Sequence, residues 1–299
     1  MTRQETGDDI RLSFEFFPPK NGDMEMQLFR TVGDLGAWQP EFVSVTYGAG
    51  GTTRETTLST VSRIISEHHL PTAAHLTCVG ATREEVREVI EAFRQVGCRH
   101  FVALRGDPQG GIGTAYQPHP GGYANAAELC RALAEIGDFE ITVSAYPEKH
   151  PESLDQSADI DMLKRKVDNG ATRALTQFFF DNDVFERYLE AVRAAGITIP
   201  IVPGILPIHN LSQVKRFASA CGASVPDFVE RRLQPFDDLP AERAKLASEL
   251  AAEQFADLRD RGISEFHFYT MNRSGLVEAT LHAAGLGKPA LLGKSTAAA

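Results

Sequence analysis

The sequence has few cysteines, and none of them is paired at short spacing. Its four cysteines are Cys78, Cys98, Cys130 and Cys221. No Cys-x-x-Cys motif occurs, and His68 and His69 have no cysteine or glutamate at the spacing of a metal-ligand set. We therefore expect free thiols and no metal site.

The sequence also lacks long apolar runs and an excess of positive charge. With 30 Lys and Arg against 40 Asp and Glu, its formal net charge is -10, which argues against a nucleic acid or an anionic membrane as a partner. No apolar run reaches membrane-spanning length, and the start of the chain is polar, without the core of a signal peptide. We expect a cytoplasmic protein with polar tails at residues 1–9 and 289–299.

The most informative segment places a carboxylate in an aromatic strand. Residues 13–20 read Ser-Phe-Glu-Phe-Phe-Pro-Pro-Lys, so Glu15 stands between phenylalanines before a proline pair. Apolar neighbours disfavour the charged carboxylate, so we expect a raised pKa and a Glu15 that donates a proton near neutral pH. The alternative is an edge-strand glutamate that faces water.

Seven later segments repeat this layout of a β-branched or aromatic run before a turn. They are residues 42–48, 73–78, 100–107, 141–147, 173–180, 201–207 and 266–273. Apolar residues at helical spacing lie between them, for example at 84–96, 126–136 and 182–194. Eight strand and helix units in roughly 250 residues predict a (β/α)8 TIM barrel. We expect a single domain over residues 1–299, with an open doubly wound sheet as the alternative.

In such a barrel the carboxyl ends of all strands open on one face. The polar residues at these ends should therefore surround one pocket. They are Glu15, Thr46, His75, Asp107, Tyr146, Gln177 and Arg273. The glycine-rich stretch at 108–122 predicts a long, mobile loop after the fourth strand, which is a candidate lid.

Eight short motifs follow one another along the chain. The first four are Ser-Phe-Glu-Phe-Phe-Pro-Pro-Lys at 13–20, Ser-Val-Thr-Tyr-Gly-Ala-Gly-Gly at 44–51, His-Leu-Thr-Cys at 75–78 and Leu-Arg-Gly-Asp at 104–107. The others are Ala-Tyr-Pro-Glu-Lys-His-Pro-Glu at 145–152, Lys-Arg-Lys at 164–166, Thr-Gln-Phe-Phe-Phe-Asp at 176–181 and Pro-Gly-Ile-Leu-Pro at 203–207. With these motifs the chain resembles methylenetetrahydrofolate reductase of the short bacterial type.

The resemblance implies a flavoprotein that carries FAD and works in two half-reactions. NADH, or alternatively NADPH, gives hydride to the flavin and leaves. The reduced flavin then converts 5,10-methylenetetrahydrofolate to 5-methyltetrahydrofolate, a ping-pong reaction of one-carbon metabolism and methionine biosynthesis. The absence of the regulatory domain that longer relatives have favours NADH, and the family's dimers and tetramers lead us to expect a homo-oligomer.

The resemblance also assigns roles near the substrate. Glu15 matches the family's general acid, which protonates the leaving nitrogen when the folate ring opens. Asp107 matches an aspartate beside flavin and pterin that can accept N–H bonds, although alone it would be read as a helix N-cap or turn residue. Gln177 matches an amide that contacts folate and nicotinamide in turn, and Arg273 matches a folate-contacting position. From the residues alone, a self-satisfied amide and a surface arginine are equally compatible.

Further positions match the family's contacts to FAD. They are Thr46, Tyr47, His75, Arg105, Gly106, Asp107, Tyr123, Ala124, Tyr146, His150, Asp159, Arg165 and Lys166. By this resemblance, His150, Arg165 and Lys166 would hold the pyrophosphate through charge-assisted contacts. Without it, the Lys-Arg-Lys run is read as a solvated helix face.

One position departs from the family pattern. Related bacterial enzymes can carry a phenylalanine shortly after Pro-Gly-Ile-Leu-Pro, whereas this chain has Leu211. Leucine gives the nicotinamide cofactor apolar contact without aromatic stacking. The mode of nicotinamide binding therefore stays open.

Two functions of other classes are also compatible with the residues. A glycoside hydrolase could use Glu15 and Asp107 as an acid and base pair, but such clefts are usually lined with tryptophan and this chain has only Trp38. A catalytically silent flavin- or folate-binding barrel is the second alternative. Binding alone needs no buried acid, so Glu15 counts against it.

Overall fold

Parallel strands follow one another around a barrel in chain order. The structure is a computed structural model that describes residues 10–48, 54–108 and 116–289. Its strands are β1 (Arg11–Phe16), β2 (Phe42–Val45), β3 (Thr72–Thr77), β4 (His100–Leu104), β5 (Glu140–Ala145), β6 (Arg173–Thr176), β7 (Ile201–Val202), β8 (Gly204–Ile205) and β9 (Glu265–Tyr269). Within the described residues they form one sheet in the order β7-β6-β5-β4-β3-β2-β1-β9-β8. The predicted tails, apart from residue 289, and residues 109–115 of the predicted loop lie outside the described residues.

The short strands β7 and β8 are two halves of the seventh barrel strand, separated by Pro203. β7 pairs with β6, and β8 pairs with β9. Proline has no backbone N–H, but the Pro203 carbonyl still accepts a hydrogen bond from the His267 amide at 3.0 Å. The nine strands therefore correspond to eight barrel strands, and the predicted (β/α)8 fold is confirmed.

Helices cover the outside of the sheet. They are α1 (Gly22–Gly36), α2 (Arg54–Arg63), α3 (Arg83–Gln95), α4 (Ala126–Ile136), α5 (Gln156–Asp168), α6 (Asn182–Ala194), α7 (Leu211–Cys221), α8 (Asp227–Leu233), α9 (Pro240–Asp260) and α10 (Ser274–Ala283). Polar caps begin many of them; Thr82 and Glu85, for example, form a reciprocal capping box at α3. The three helices predicted as examples agree with α3, α4 and α6 to within one residue. None of the described helices has the length and apolarity needed to cross a membrane.

The two faces of the strands differ in chemical character. On β1, Phe14 and Phe16 pack outward into the main apolar core, while Ser13 and Glu15 take the opposite face, which lines the barrel axis. The apolar cluster at the axis is small and consists of Phe42, Ala73, Val102, Leu175 and Val202. Buried serine, threonine and histidine side chains occupy much of the remaining interior. The axis is therefore a polar column.

Arg173 closes the amino-terminal end of this column. Its guanidinium lies 3.0 Å from Glu41, 2.8 Å from Glu140 and 3.5 Å from Glu265, and its side chain is 10% exposed. His100 is also buried in the interior, and burial together with the charge of Arg173 lowers the pKa of His100 to about 3. The cation is thus paired with carboxylates, and the nearby imidazole stays neutral at pH 7.

Arg173→Met should destabilise the protein, because three carboxylates then share one end of the barrel without their buried cation. We expect the free energy of unfolding to fall by about 3 kcal/mol in urea denaturation at pH 7. Arg11→Met is the control: Arg11 contacts Glu41 and Glu265 as well, but its side chain is 48% exposed, so its loss should cost less than about 1 kcal/mol. Equal losses would contradict this role of Arg173.

Candidate active site

A cavity of about 570 Å³ lies beside the carboxyl ends of β4 and β5 and the start of α5. The predicted site residues that line it are Tyr47, Arg105, Gly106, Asp107, Tyr146, His150, Asp159 and Lys166. A smaller cavity of about 280 Å³ lies beside α6, α8 and α9, and no predicted site residue lines it. The cavity that these eight predicted residues line is therefore the candidate ligand site.

Other predicted residues do not line this cavity. They are Glu15, Thr46, His75, Tyr123, Ala124, Arg165, Gln177, Leu211 and Arg273. Of the seven strand-end residues expected around one pocket, only Asp107 and Tyr146 meet there. The seven residues therefore do not surround one pocket: Glu15 and His75 lie together deeper in the barrel, and Thr46, Gln177 and Arg273 lie elsewhere.

Lys166 is a buried cation in the wall of the cavity. It follows Leu163 by three residues on the inward face of α5, whereas Lys164 and Arg165 are exposed. Its Nζ donates to the Ser144 carbonyl at 2.9 Å and lies 3.4 Å from Ser144 Oγ, which leaves one N–H for a ligand. Burial lowers the pKa of Lys166 to about 8, so the ammonium is mostly charged at pH 7. The cavity therefore offers a buried positive charge, to which Arg165 does not contribute.

Asp159 orders the segment between β5 and α5. One of its oxygens accepts the His150 backbone N–H at 2.8 Å, and the other accepts the Ser153 hydroxyl. The His150 ring packs edge-on against Tyr146, with 4.8 Å between the ring centres. Asp159 therefore shapes the cavity wall and holds His150 in it.

Arg105 is paired with a carboxylate in the same wall. Two of its guanidinium nitrogens lie 2.6 and 2.9 Å from the oxygens of Glu152, a bidentate contact that lowers the pKa of Glu152. The guanidinium also lies 4.4 Å from the centre of the Tyr116 ring. These contacts hold Arg105 in place as a second positive charge in the cavity wall. An anionic group of a ligand would have to compete with Glu152 for it.

Gly106 permits the turn that places Asp107 in the cavity. Its φ is +86°, and a Cβ atom there would lie 2.5 Å from Val79 Cγ1, so glycine is required. Asp107 is exposed and lines the cavity. The N-cap interpretation finds no support in the described part of the chain, where the next helix, α4, begins at Ala126 and is capped by Asn125.

Three predicted FAD contacts are held on segments between strands and helices. The Arg83 guanidinium lies 5.2 Å from the centre of the buried Tyr123 ring. The Ala124 N–H donates to Glu128 at 3.1 Å, and the Thr46 N–H donates to the last residue of β1 at 2.9 Å. These contacts order the segments without bringing the three residues into the cavity lining.

A second polar cluster lies deeper in the barrel, around Glu15. Its Oε2 lies 3.3 Å from His75 Nε2 and 3.7 Å from His267 Nε2. Neither nitrogen makes a well-aligned hydrogen bond within the described residues. His75 precedes Thr77 by two residues on β3, and Thr77 lines the cavity. Along this strand the cluster therefore lies about 7 Å below the cavity.

The prediction of a raised pKa for Glu15 is wrong for the protein on its own. Strand alternation turns Phe14 and Phe16 away, so the carboxylate faces imidazoles instead of phenyl rings. Burial raises the pKa, but the nearby nitrogens of His267 and His75 outweigh it and lower the pKa to about 2. Glu15 is therefore ionised at neutral pH.

Two members of this cluster, Ser13 and His267, are missing from the residues singled out in the sequence. Ser13 Oγ lies 2.8 Å from His267 Nδ1, and His267 is completely buried. Burial lowers the pKa of His267, against the opposing effect of Glu15. The sequence did contain a signal for both residues. Side chains alternate along a strand, so Ser13 shares the Glu15 face of β1. Closure of the barrel makes β9, which carries His267, the neighbour of β1.

The predicted substrate-binding residues beyond Asp107 take three different environments. Gln177 is half-buried, and its Nε2 lies 3.0 Å from Cys221 Sγ. Leu211 is 6% exposed in an apolar cluster formed by α7, α8 and α9. Arg273 is exposed directly before α10. Leu211 thus presents little surface to a ligand, whereas Arg273 is accessible.

Comparisons with known proteins agree on one family. The family model described as methylenetetrahydrofolate reductase matches residues 1–285. The 5,10-methylenetetrahydrofolate reductase of Pectobacterium carotovorum subsp. carotovorum is 42% identical over 279 residues, which cover 93% of this chain and 91% of the relative. The protein of the same name from Escherichia coli strain K12 is 41% identical over 277 residues, with the same coverage.

More distant similarities extend to a plant protein and to a solved structure. Methylenetetrahydrofolate reductase (NADH) 1 of Arabidopsis thaliana is 36% identical over 271 residues, which cover 87% of this chain and 46% of that protein. An uncharacterized protein from Clostridium thermocellum, which binds two copies of 5-methyl-5,6,7,8-tetrahydrofolic acid, matches with a TM-score of 0.59 and 14% identity over 92% of this chain and 94% of its own. At that identity the likeness shows the fold alone.

Glu15→Gln should make the stability of the protein less sensitive to acid. The pKa of Glu15 is lowered from 4.5 to about 2, so its contribution to stability is present above pH 4.5 and is lost as the pH falls towards 2. Between pH 6 and about pH 3.5, urea denaturation should show the wild type losing roughly 1 kcal/mol more than the variant. Glu88→Gln, which removes an exposed carboxylate from α3, should follow the wild type. Parallel curves for all three proteins would contradict the lowered pKa.

Proposed function

This chain belongs to the methylenetetrahydrofolate reductase family, and we propose that it passes electrons from NADH through bound FAD to 5,10-methylenetetrahydrofolate, giving 5-methyltetrahydrofolate. The observation that carries this proposal is the arrangement of two sites in one barrel. A cavity with a buried cation lies above a carboxylate held between imidazoles. Family membership overturns the glycoside hydrolase alternative, while the homo-oligomeric state and cytoplasmic location stay predictions.

The cavity residues fit a ligand with an anionic centre and flat rings. Lys166 and Arg105 supply positive charge in a protein whose net charge of -10 would otherwise repel a pyrophosphate. Tyr47 and Tyr146 add aromatic surface to the lining. FAD bound there would supply the hydride chemistry that connects nicotinamide and folate.

We propose NADH as the electron donor, with NADPH as the alternative. The Arabidopsis relative carries NADH in its name, which supports this choice by analogy. Both substrates must reach the same flavin, so they would occupy the pocket in turn, as a ping-pong order requires. Because Leu211 is 6% exposed, other residues would have to hold the adenine of the nicotinamide cofactor.

Glu15 is the proposed general acid for the folate half-reaction. When the five-membered ring of the substrate opens, the C–N bond breaks and the leaving nitrogen keeps the electron pair and takes a proton. The carboxylate of Glu15 lies at the base of the site. Because it is ionised in the protein on its own, it would take up a proton when bound ligands exclude water from the site and then pass that proton on. Asp107 would accept N–H bonds from the pterin edge, Gln177 would contact folate and nicotinamide in turn, and Arg273 would pair with the glutamate tail.

The absorption spectrum of the purified protein tests both half-reactions. We expect flavin bands that bleach on anaerobic addition of NADH and return on addition of methylenetetrahydrofolate. In Glu15→Gln, bleaching by NADH should persist, because that step needs no proton on a leaving nitrogen, whereas the return should slow by about 10²–10⁴-fold. Equal loss of both steps would mean that Glu15 supports the structure. A colourless protein that takes up no added FAD would overturn the proposed function.

Lys166→Met should weaken FAD binding, because it removes the buried positive charge from the cavity wall. We expect the dissociation constant, measured by fluorescence titration of the flavin-free protein, to rise roughly 10–100-fold. Lys164→Met is the matched control: this lysine lies two residues earlier on α5, is exposed and pairs with Asp168 at 3.6 Å. Unchanged affinity in Lys166→Met would place the pyrophosphate elsewhere.

A further inference from the structure

The side chain of Asn272 joins the segment after β1 to the start of α10. The Phe17 N–H donates to Asn272 Oδ1 at 2.9 Å, and Asn272 Nδ2 donates to the Phe17 carbonyl at 2.8 Å. The register between β1 and β9 ends at Glu15 and Tyr269, two residues before Phe17. The amide of Asn272 therefore supplies both hydrogen bonds that a neighbouring strand would otherwise give to Phe17.

The backbone of Asn272 is held in an uncommon conformation. Met271 and Asn272 have positive φ angles of 51° and 54°, which asparagine adopts more readily than methionine. The Asn272 carbonyl accepts hydrogen bonds from Gln27 Nε2 and Thr31 Oγ1, each at 3.2 Å. Its N–H donates to the Thr270 hydroxyl at 3.1 Å. Strained residues that several partners hold in place often lie at ligand sites.

The two residues that Asn272 holds are both accessible. Phe17 is 36% exposed, and strand alternation gives its side chain the Glu15 side of the chain, above the barrel axis. Arg273 is exposed and forms no ion pair with any residue that the structure describes. Burial lowers the pKa of His209, and the charge of Arg273 lowers it further, so Arg273 lies within electrostatic reach of the segment between β8 and α7. A ring and an unpaired cation thus lie next to Asn272 at the mouth of the barrel.

A ring beside a cation suits a ligand in which an aromatic group is joined to an anion. Among the substrates of the proposed reaction, folate has this chemistry in its p-aminobenzoyl-glutamate tail, and NADH has it in its adenine and phosphates. The reaction favours folate. Its product carries the methyl group on N5, so the bond that breaks is the one to N10, the nitrogen that carries the p-aminobenzoyl ring. The acid that protonates N10 must lie beside that ring, and Phe17 follows Glu15 by about 7 Å of extended chain.

We propose that Asn272 is a positioning residue that presents Phe17 and Arg273 together to the tail of folate: the Phe17 ring packs on the p-aminobenzoyl group, and Arg273 pairs with the glutamate. This inference rests on the proposed function and deepens it. Phe17 and Arg273 touch the substrate, and Asn272 acts through them. Pro18 and Pro19 follow Phe17 and have no backbone N–H, so they cannot replace the contacts of the amide.

Asn272→Gly tests the proposal in the FAD-loaded protein. Glycine adopts a positive φ without strain, so the variant loses the amide and keeps the backbone. Reduction by NADH should stay within about threefold of the wild type in rate and in half-saturating concentration. For reoxidation by methylenetetrahydrofolate, the half-saturating concentration should rise about tenfold, with less than about a threefold change in the maximal rate. Equal losses in both half-reactions would show a purely structural role and overturn the proposal.

Asn182→Gly is the matched control. The Asn182 Nδ2 donates to the Gln254 carbonyl at 3.0 Å and to Asp257 at 2.7 Å, so this variant also loses two hydrogen bonds of a side-chain amide. Both of its half-saturating concentrations should stay within about threefold of the wild type.

Two other results for Asn272→Gly would overturn the proposal. If only the half-saturating concentration of NADH rises, the ring and the cation serve the nicotinamide cofactor. If neither concentration changes, the amide positions no substrate-binding group. The wild-type protein separates these outcomes from failure of the proposed function, which would show as a flavin that methylenetetrahydrofolate does not reoxidise.

Ligand binding without turnover gives a second readout. 5-Methyltetrahydrofolate and 5-methyltetrahydropteroate differ only by the glutamate, and a flavin that is kept reduced cannot accept hydride from either. Calorimetry should show that the wild type binds the folate about tenfold more tightly, and that Asn272→Gly reduces this preference to about twofold. The same preference in both proteins would overturn the role of Asn272, whereas a wild type that binds neither ligand would overturn the proposed function.

Discussion

The register between β1 and β9 is the constraint on which this site depends. It sets Ser13 opposite His267 and Glu15 opposite Tyr269, so the polar cluster is assembled by backbone pairing alone. A slip of one residue would turn Phe14 or Phe16 towards the axis and Glu15 towards the helices. The buried phenylalanines on the outer face oppose such a slip. Apolar packing outside the barrel therefore determines which carboxylate lies inside it.

The polar column along the barrel axis uses buried charge in two ways. At the amino-terminal end, Arg173 is paired with three carboxylates, an arrangement that suits a structural role. Around Glu15, two imidazole nitrogens face one carboxylate without aligned hydrogen bonds. Groups that are incompletely satisfied can change partners when a ligand or a proton arrives. The paired charges that suit a structural role and the incompletely satisfied groups around Glu15 thus lie at opposite ends of the same column.

The barrel could be predicted because its signals are periodic and local. Apolar runs and helical spacing placed the strands and helices, and family motifs pointed to the cavity that Arg105, Asp107 and Lys166 line. The charged state of Glu15 was mispredicted because residues adjacent in a strand face opposite sides, so Phe14 and Phe16 do not form its surroundings. His267 was missed because its partner lies 254 residues away along the chain. Only closure of the barrel brings these two strands together.

The division of the seventh strand at Pro203 has a consequence for the substitutions that this barrel tolerates. Next to it, the Gly204 N–H donates to the Thr176 hydroxyl at 2.9 Å, and the Tyr269 hydroxyl donates to the Thr176 carbonyl at 2.7 Å. Most neighbouring strands of the sheet are joined by backbone hydrogen bonds, which almost any substitution leaves intact. The contact beside Pro203 depends instead on the identities of two side chains, Thr176 and Tyr269. It also depends on Gly204, where a Cβ would lie 2.3 Å from the Thr176 carbonyl oxygen. Substitution of Thr176, Gly204 or Tyr269 would therefore disturb the point where the ring closes, beside the strand that carries His267.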